Sequence, residues 1–122
     1  MKIDFDLIRE ILLKVEESDS YIFSSSFVSE KYSAEKIDTH MDILIRKNFL
    51  IYDKKHYIGN QYPNYEIKSL DLDGLEYLST IKNEKMWKKI KNIANSKEIS
   101  LSFKVIGYIF KIVIENLINQ TT

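Results

Sequence analysis

The chain has 122 residues, 44% of them apolar and 30% charged, which suits one folded domain of ordinary soluble composition. Lys plus Arg and Asp plus Glu both number 18, so the net charge is zero and any nucleic-acid role needs a local basic patch. Cysteine is absent, which excludes disulfides and thiolate metal sites.

The opening MKIDFDLIRE is charged at once and has no apolar signal-peptide core, so a cytoplasmic location is expected. Residues 4–17 then predict an amphipathic helix. Leu7, Ile8, Ile11, Leu12 and Val15 recur at helical spacing, and Asp4 or Asp6 is placed to cap it. YIFSSSFVSEKY predicts a short strand followed by a helical turn. Ser33 caps a second helix over 34–48, with Ala34, Ile37, Met41, Leu44 and Ile45 inward and His40 at the border of that stripe. FLIYD and YEIKSLD predict paired strands, joined by KKHYIGNQYPN with its turn formers Gly59-Asn60 and Pro63-Asn64.

Three helices follow. LDGLEYLSTIK is capped by Asp71 or Asp73, with Leu72, Leu75, Leu78 and Ile81 inward. The second covers 84–95, with Trp87, Ile90 and Ile93 or Ala94 inward. The third covers 99–119 and opens at Ser100 or Ser102. No repeat or low-complexity tract interrupts this order, and three glycines with one proline leave no flexible linker. The expected class is α+β, mostly α: a winged helix-turn-helix core with a β-hairpin wing and C-terminal helices. Residues 1–122 form a single winged-helix domain in this reading, with helices 84–95 and 99–119 as an extension or dimerisation element.

Four blocks carry a resemblance. They are MKIDFDLIREILLKVEE, DTHMDILIRKNFLI, SLDLDGLEYLSTIKNEKMWKKIK and ISLSFKVIGYIFKIVIENL. Together they span nearly the whole chain, which resembles the domain-of-unknown-function family numbered 2513, common in phages and prophages. The third block in that family usually reads Leu-Thr-Trp followed by a Gly-His pair. Here Ser69-Leu70-Asp71-Leu72 and Gly74-Leu75 stand there instead, so nothing tied to the tryptophan or histidine carries over. The resemblance implies a winged-helix fold and a phage context, and no activity.

On a helical wheel, the outer face of 34–48 shows Glu35, Thr39, Asp42, Ile43 and Arg46, flanked by Lys36 and Lys47. Its three bases are cancelled by Glu35, Asp38 and Asp42, an unfavourable balance for an element that meets phosphates. Lys54, Lys55, His56 and Tyr57 are expected at or near the wing tip. Lys88 and Lys89 belong to a longer basic run: seven lysines between 82 and 104 face only Glu84 and Glu98. If the chain holds duplex DNA, Lys36, Thr39, Arg46, Lys47, Lys54, Lys55, His56, Tyr57, Lys88 and Lys89 are the contact residues. A solvated charged surface is the plainer account of the helix and of the lysine run, while for the wing a backbone clamp and an ordinary charged hairpin edge stand level.

The last helix is apolar over about 240° of its wheel, well beyond the arc that a core-facing helix needs. Lys104, Lys111 and Glu115 argue against a membrane span. A homodimer is expected, with Val105, Ile109, Ile112, Val113 and Ile114 in the interface.

Catalysis is not expected, and neither is a metal, a cofactor or a small-molecule substrate. The two histidines lack ligand spacing, Ser24-Ser25-Ser26 has no glycine elbow, and the acidic position that DLDG would need downstream for calcium is missing. The expected function is that of a small phage or prophage DNA-binding protein acting as a dimer, a transcriptional regulator; the alternative is a protein-binding module such as an inhibitor of a host or defence protein.

Overall fold

The computed structural model describes residues 2–120. They form five α-helices and a three-stranded antiparallel sheet, and divide into two units, Met1–Leu78 and Ser79–Thr122. The fold is therefore α+β and mostly helical.

In the first unit, α1 (Phe5–Glu17) starts where the Asp4 carboxylate accepts from the Leu7 N–H at 3.0 Å. Its stripe of Phe5, Leu7, Ile8, Ile11, Leu12 and Val15 is buried. Each such side chain contributes about 1.5–3 kcal/mol relative to exposure. A two-residue strand, β1 (Ile22–Phe23), leads into a single 3₁₀ turn at Ser24–Phe27. Next comes α2 (Ala34–Arg46), opened by Ser33, whose hydroxyl oxygen accepts from the Lys36 N–H at 3.1 Å. It stops where Asn48 turns left-handed (φ 59°), letting the Phe49 N–H reach back to the Leu44 carbonyl at 3.0 Å.

The strands β2 (Leu50–Lys55) and β3 (Asn64–Leu70) pair antiparallel, and β1 adds to the other edge of β3, giving the order β1-β3-β2. Ile51 faces Ser69 and Tyr52 faces Ile67, so Lys68 is the extra residue of a bulge. The bulge explains why Ile67 and Leu70, three apart, are both buried in a strand that otherwise alternates.

The helix α3 (Leu72–Ile81) follows, and the division between the units falls within it. Asp71 immediately precedes it, with its carbonyl accepting from the Leu75 N–H at 2.9 Å. In the second unit, α4 (Glu84–Ser96) is capped by Asn83, which accepts from the Met86 N–H at 2.9 Å. Its inward residues are Trp87, Ile90 and Ala94. Glu98 repeats the left-handed stop at φ 55°. The last helix, α5 (Phe103–Gln120), is opened by Ser102, which accepts from the Val105 N–H at 3.0 Å.

Two expected stripes are rotated. In α2, Ala34 is exposed and Ile45 only partly covered, while His40 is fully buried in their place. In α3, Leu72 is 65% and Leu75 is 44% exposed, whereas Gly74, Leu78 and Ile81 are buried. Gly74 accounts for the second case. A Cβ at this position would overlap the Phe49 carbonyl oxygen, so the glycine edge is the one that docks. The Tyr77 ring then stacks on Phe49 with centroids 5.2 Å apart, and the leucines of the first turn are left outside.

Candidate functional site

The surface of α2 is governed by ion pairs within the chain. Lys36 points to the start of α1, where its Nζ lies 2.7 Å from the Asp4 carboxylate. His40 completes this link. Its Nδ1 lies 2.8 Å from the Lys36 carbonyl, so Nδ1 carries the proton and donates. Its Nε2 then accepts from the Asp4 N–H, also at 2.8 Å. Burial pushes the Asp4 carboxyl up, but the Lys36 ammonium and the Leu7 N–H outweigh it and leave Asp4 below the ordinary carboxylate value.

On the outer face, Arg46 pairs with Asp42 at 2.9 Å. The Thr39 hydroxyl donates to the Glu35 carbonyl at 3.0 Å, and the Lys47 ammonium sits 5.9 Å from the centre of the Phe49 ring. The face therefore presents Glu35 and an exposed, mutually neutral Asp42–Arg46 pair.

The hairpin carries its cations at the end of β2 and the start of the loop. Lys54 and Lys55 are strand residues opposite Tyr65 and Asn64, and the loop tip is built from residues 56–63. The β2 pattern continues two residues beyond FLIYD because both lysines still find ladder partners. Lys55 pairs with Glu66 at 3.2 Å, and Lys68 on the bulge pairs with Asp53 at 2.8 Å. These contacts raise Lys55 and Lys68 and hold the Asp53 carboxyl low. Lys54 is exposed. In the loop, His56 Nε2 donates to the Asn60 carbonyl at 3.0 Å, around a turn in which Gly59 takes φ 90°. Tyr57 is 56% exposed beside it.

In the second unit, Lys85, Lys88 and Lys89 line a shallow depression with Asn92, Ile93 and Ser96. Lys88 lies 3.4 Å from Glu84, a long contact between two exposed groups. On α5, Ile109 and Val113 are buried by the chain itself, Val105 and Ile114 are partly covered, and Ile112 is 38% exposed. Tyr108, Leu117 and Ile118 are also exposed. Among the described residues no helix is long and apolar enough to cross a membrane, and no cluster of His, Asp and Glu could hold a metal ion.

Of the candidate DNA contacts in the first unit, Lys36, Arg46 and Lys55 each lie beside an acid of the same chain. Sequence reasoning did not foresee that Asp4, Glu66 and Asp53 would engage the cations, because those partners lie 11 to 32 positions away. It also passed over Asp38, which shares a cavity with the hairpin loop. The like-charge spacing of Asp38 and Asp42, one turn apart, was the available signal.

A family model described as "Hypothetical protein (DUF2513)" matches residues 2–100. A Haemophilus influenzae (strain ATCC 51907 / DSM 11121 / KW20 / Rd) protein described as an "Uncharacterized protein" is 26% identical over 121 residues, covering 97% of this chain and 99% of that one. No solved structure matches. Because the matched stretch takes in every element from α1 to α4, the chain belongs to the DUF2513 family.

Proposed function

We propose that this chain is a winged helix-turn-helix protein that works by binding another protein, without catalysis and in the cytoplasm. The element order up to Leu70 and the sheet order β1-β3-β2 support the winged scaffold. The observation that carries the choice of partner is the state of α2. It occupies the place of a groove-reading helix, yet its cations are held by acids of the same chain. DNA binding needs cations that can exchange counterions for phosphates. An exposed Glu35, with no uncompensated cation on that face, fits a basic protein surface better. Between Met1 and Leu78 there are ten Lys and Arg against fifteen Asp and Glu, which points the same way. In the phage setting that the resemblance implies, the partner is a host or defence protein.

One observation favours the regulator reading. From Ser79 onward eight lysines face three glutamates, and Lys85, Lys88 and Lys89 share one depression. A gel shift with mixed duplex DNA at low salt separates the two. No shift at tens of micromolar protein is expected. A shift that weakens steeply with salt, and that vanishes in the Lys88→Glu, Lys89→Glu variant, replaces protein binding with DNA binding. Conversely, a protein that co-purifies with the parent chain should be lost with Glu35→Lys, Asp42→Lys.

Self-association belongs to the same proposal, through the strip of α5 that the chain leaves open at Tyr108, Ile112 and Leu117. Size-exclusion chromatography with light scattering should give twice 14.5 kDa, and a monomer at high concentration removes the dimer.

A further inference from the structure

Between the 3₁₀ turn, the start of α2 and the β2–β3 loop lies a cavity of about 430 Å³. Its lining includes Ile37, Asp38, Tyr57, Asn60, Gln61 and Tyr62. The wall is fixed rather than loose. Asn64 Oδ1 accepts from the Ser24 hydroxyl at 3.2 Å and from the Ser25 N–H at 3.1 Å, while the Tyr65 N–H donates to the Ser24 hydroxyl oxygen at 2.9 Å. These bonds tie the end of the loop to the 3₁₀ turn.

Asp38 is the unusual member. Its Oδ1 is shut off from solvent and meets no hydrogen-bond donor among the described residues. Burial and the neighbouring Asp42 push its carboxyl above the ordinary value, with Lys54 acting in the opposite direction. A carboxylate kept short of a donor is unfavourable, and because Asp38 as a whole is only partly covered, a small turn of its side chain would offer both oxygens to a guest that brings donors.

We propose that this cavity binds a guanidinium group. A guanidinium is planar and weakly hydrated, and it offers a fork of donors that matches a carboxylate. Its faces stack on aromatic rings, which Tyr57 and Tyr62 provide at the rim. The side-chain carbonyls of Asn60 and Gln61 accept the N–H groups that Asp38 leaves over. An ammonium is compact and strongly hydrated, so it loses more water for fewer matched bonds. The site stands on this geometry and does not depend on the protein-partner proposal.

The test titrates the ¹⁵N-labelled full chain with N-acetyl-arginine amide, N-acetyl-citrulline amide and the peptide Gly-Gly-Arg-Gly-Gly, following amide shifts. Arginine amide is expected to move the signals of Asp38, Tyr57 and Tyr62, and neutral citrulline to bind about tenfold more weakly. Equal affinity for arginine amide and peptide identifies a small guanidinium ligand. Peptide binding about tenfold tighter identifies an arginine of a protein partner. Asp38→Asn should lose about tenfold in arginine affinity and melt no lower than the parent, since it removes an unmatched charge. The proposal is overturned if millimolar arginine leaves these signals in place, if citrulline acts equally, or if Asp38→Asn binds undiminished. A markedly lower melting temperature for Asp38→Asn also overturns it, because that would reveal a structural partner for the carboxylate.

Discussion

Two helices of thirteen residues, α2 and α4, are built alike and finished differently. Each opens with a polar side chain that accepts from the third residue of the helix, and each closes on a non-glycine residue in the left-handed region. Their outer faces diverge. The acidic first unit sets an acid within 3 Å of both Lys36 and Arg46 on α2. On α4, Lys85, Lys88 and Lys89 are exposed with only Glu84 near them in sequence, while Lys91 lies over the Trp87 ring. Backbone architecture and surface purpose are thus set by separate residues, and similarity in the first says little about the second.

Substitutions in the two units should bring out this contrast. The largest effect is expected from a pair of helical glycines. Gly74→Ala forces a Cβ into the Phe49 backbone and should cost about 3 kcal/mol or more in urea unfolding. Gly107→Ala meets open space in α5 and should add about 0.5–1 kcal/mol. Equal responses would show that the first unit is not the tightly fitted one.

Next is His40→Leu. It leaves the Asp4 N–H without its acceptor, and a loss of about 2 kcal/mol is expected by the same measurement. A neutral result would mean that the ring acts only by filling space.

The two left-handed stops come third. Glu98→Gly should stabilise by about 1 kcal/mol, since glutamate tolerates this conformation poorly. Asn48→Gly should change little, because asparagine already suits it.

The smallest effect concerns acid. Asp4 gives up its proton more readily in the folded chain than in the unfolded one. Its contribution is therefore complete above the ordinary carboxylate range and is lost as pH falls through the lowered folded value. Lys36→Met should remove about 0.5–1 kcal/mol at neutral pH and flatten that part of the stability profile.

Much of the fold could be read from local signals. The apolar period marked α1, α2 and α4 to within two residues, helped by caps at α1 and α2, and YIFSSSF did become a short strand followed by one helical turn. Ser102 decided the start of α5. What escaped was long-range. A hydrophobicity pattern gives glycine no weight, so it turned α3 towards its leucines, whereas the close approach of Phe49 turned it towards Gly74. Charges counted along one helix could not show that Asp4 would take Lys36, or that β3 would supply Glu66 and Lys68 to β2. The candidate site was less legible than the fold for the same reason. The cavity at Asp38 exists only because the hairpin loop folds back over α2.

The closed circuit of Asp4, His40 and Lys36 makes the beginning of the chain part of its middle. Asp4 is bonded to a partner 36 positions on, so loosening the start of α1 would be felt in α2. A fusion tag that strains residues 2–4 would thus act on a distant helix, although no contact between tag and helix need form.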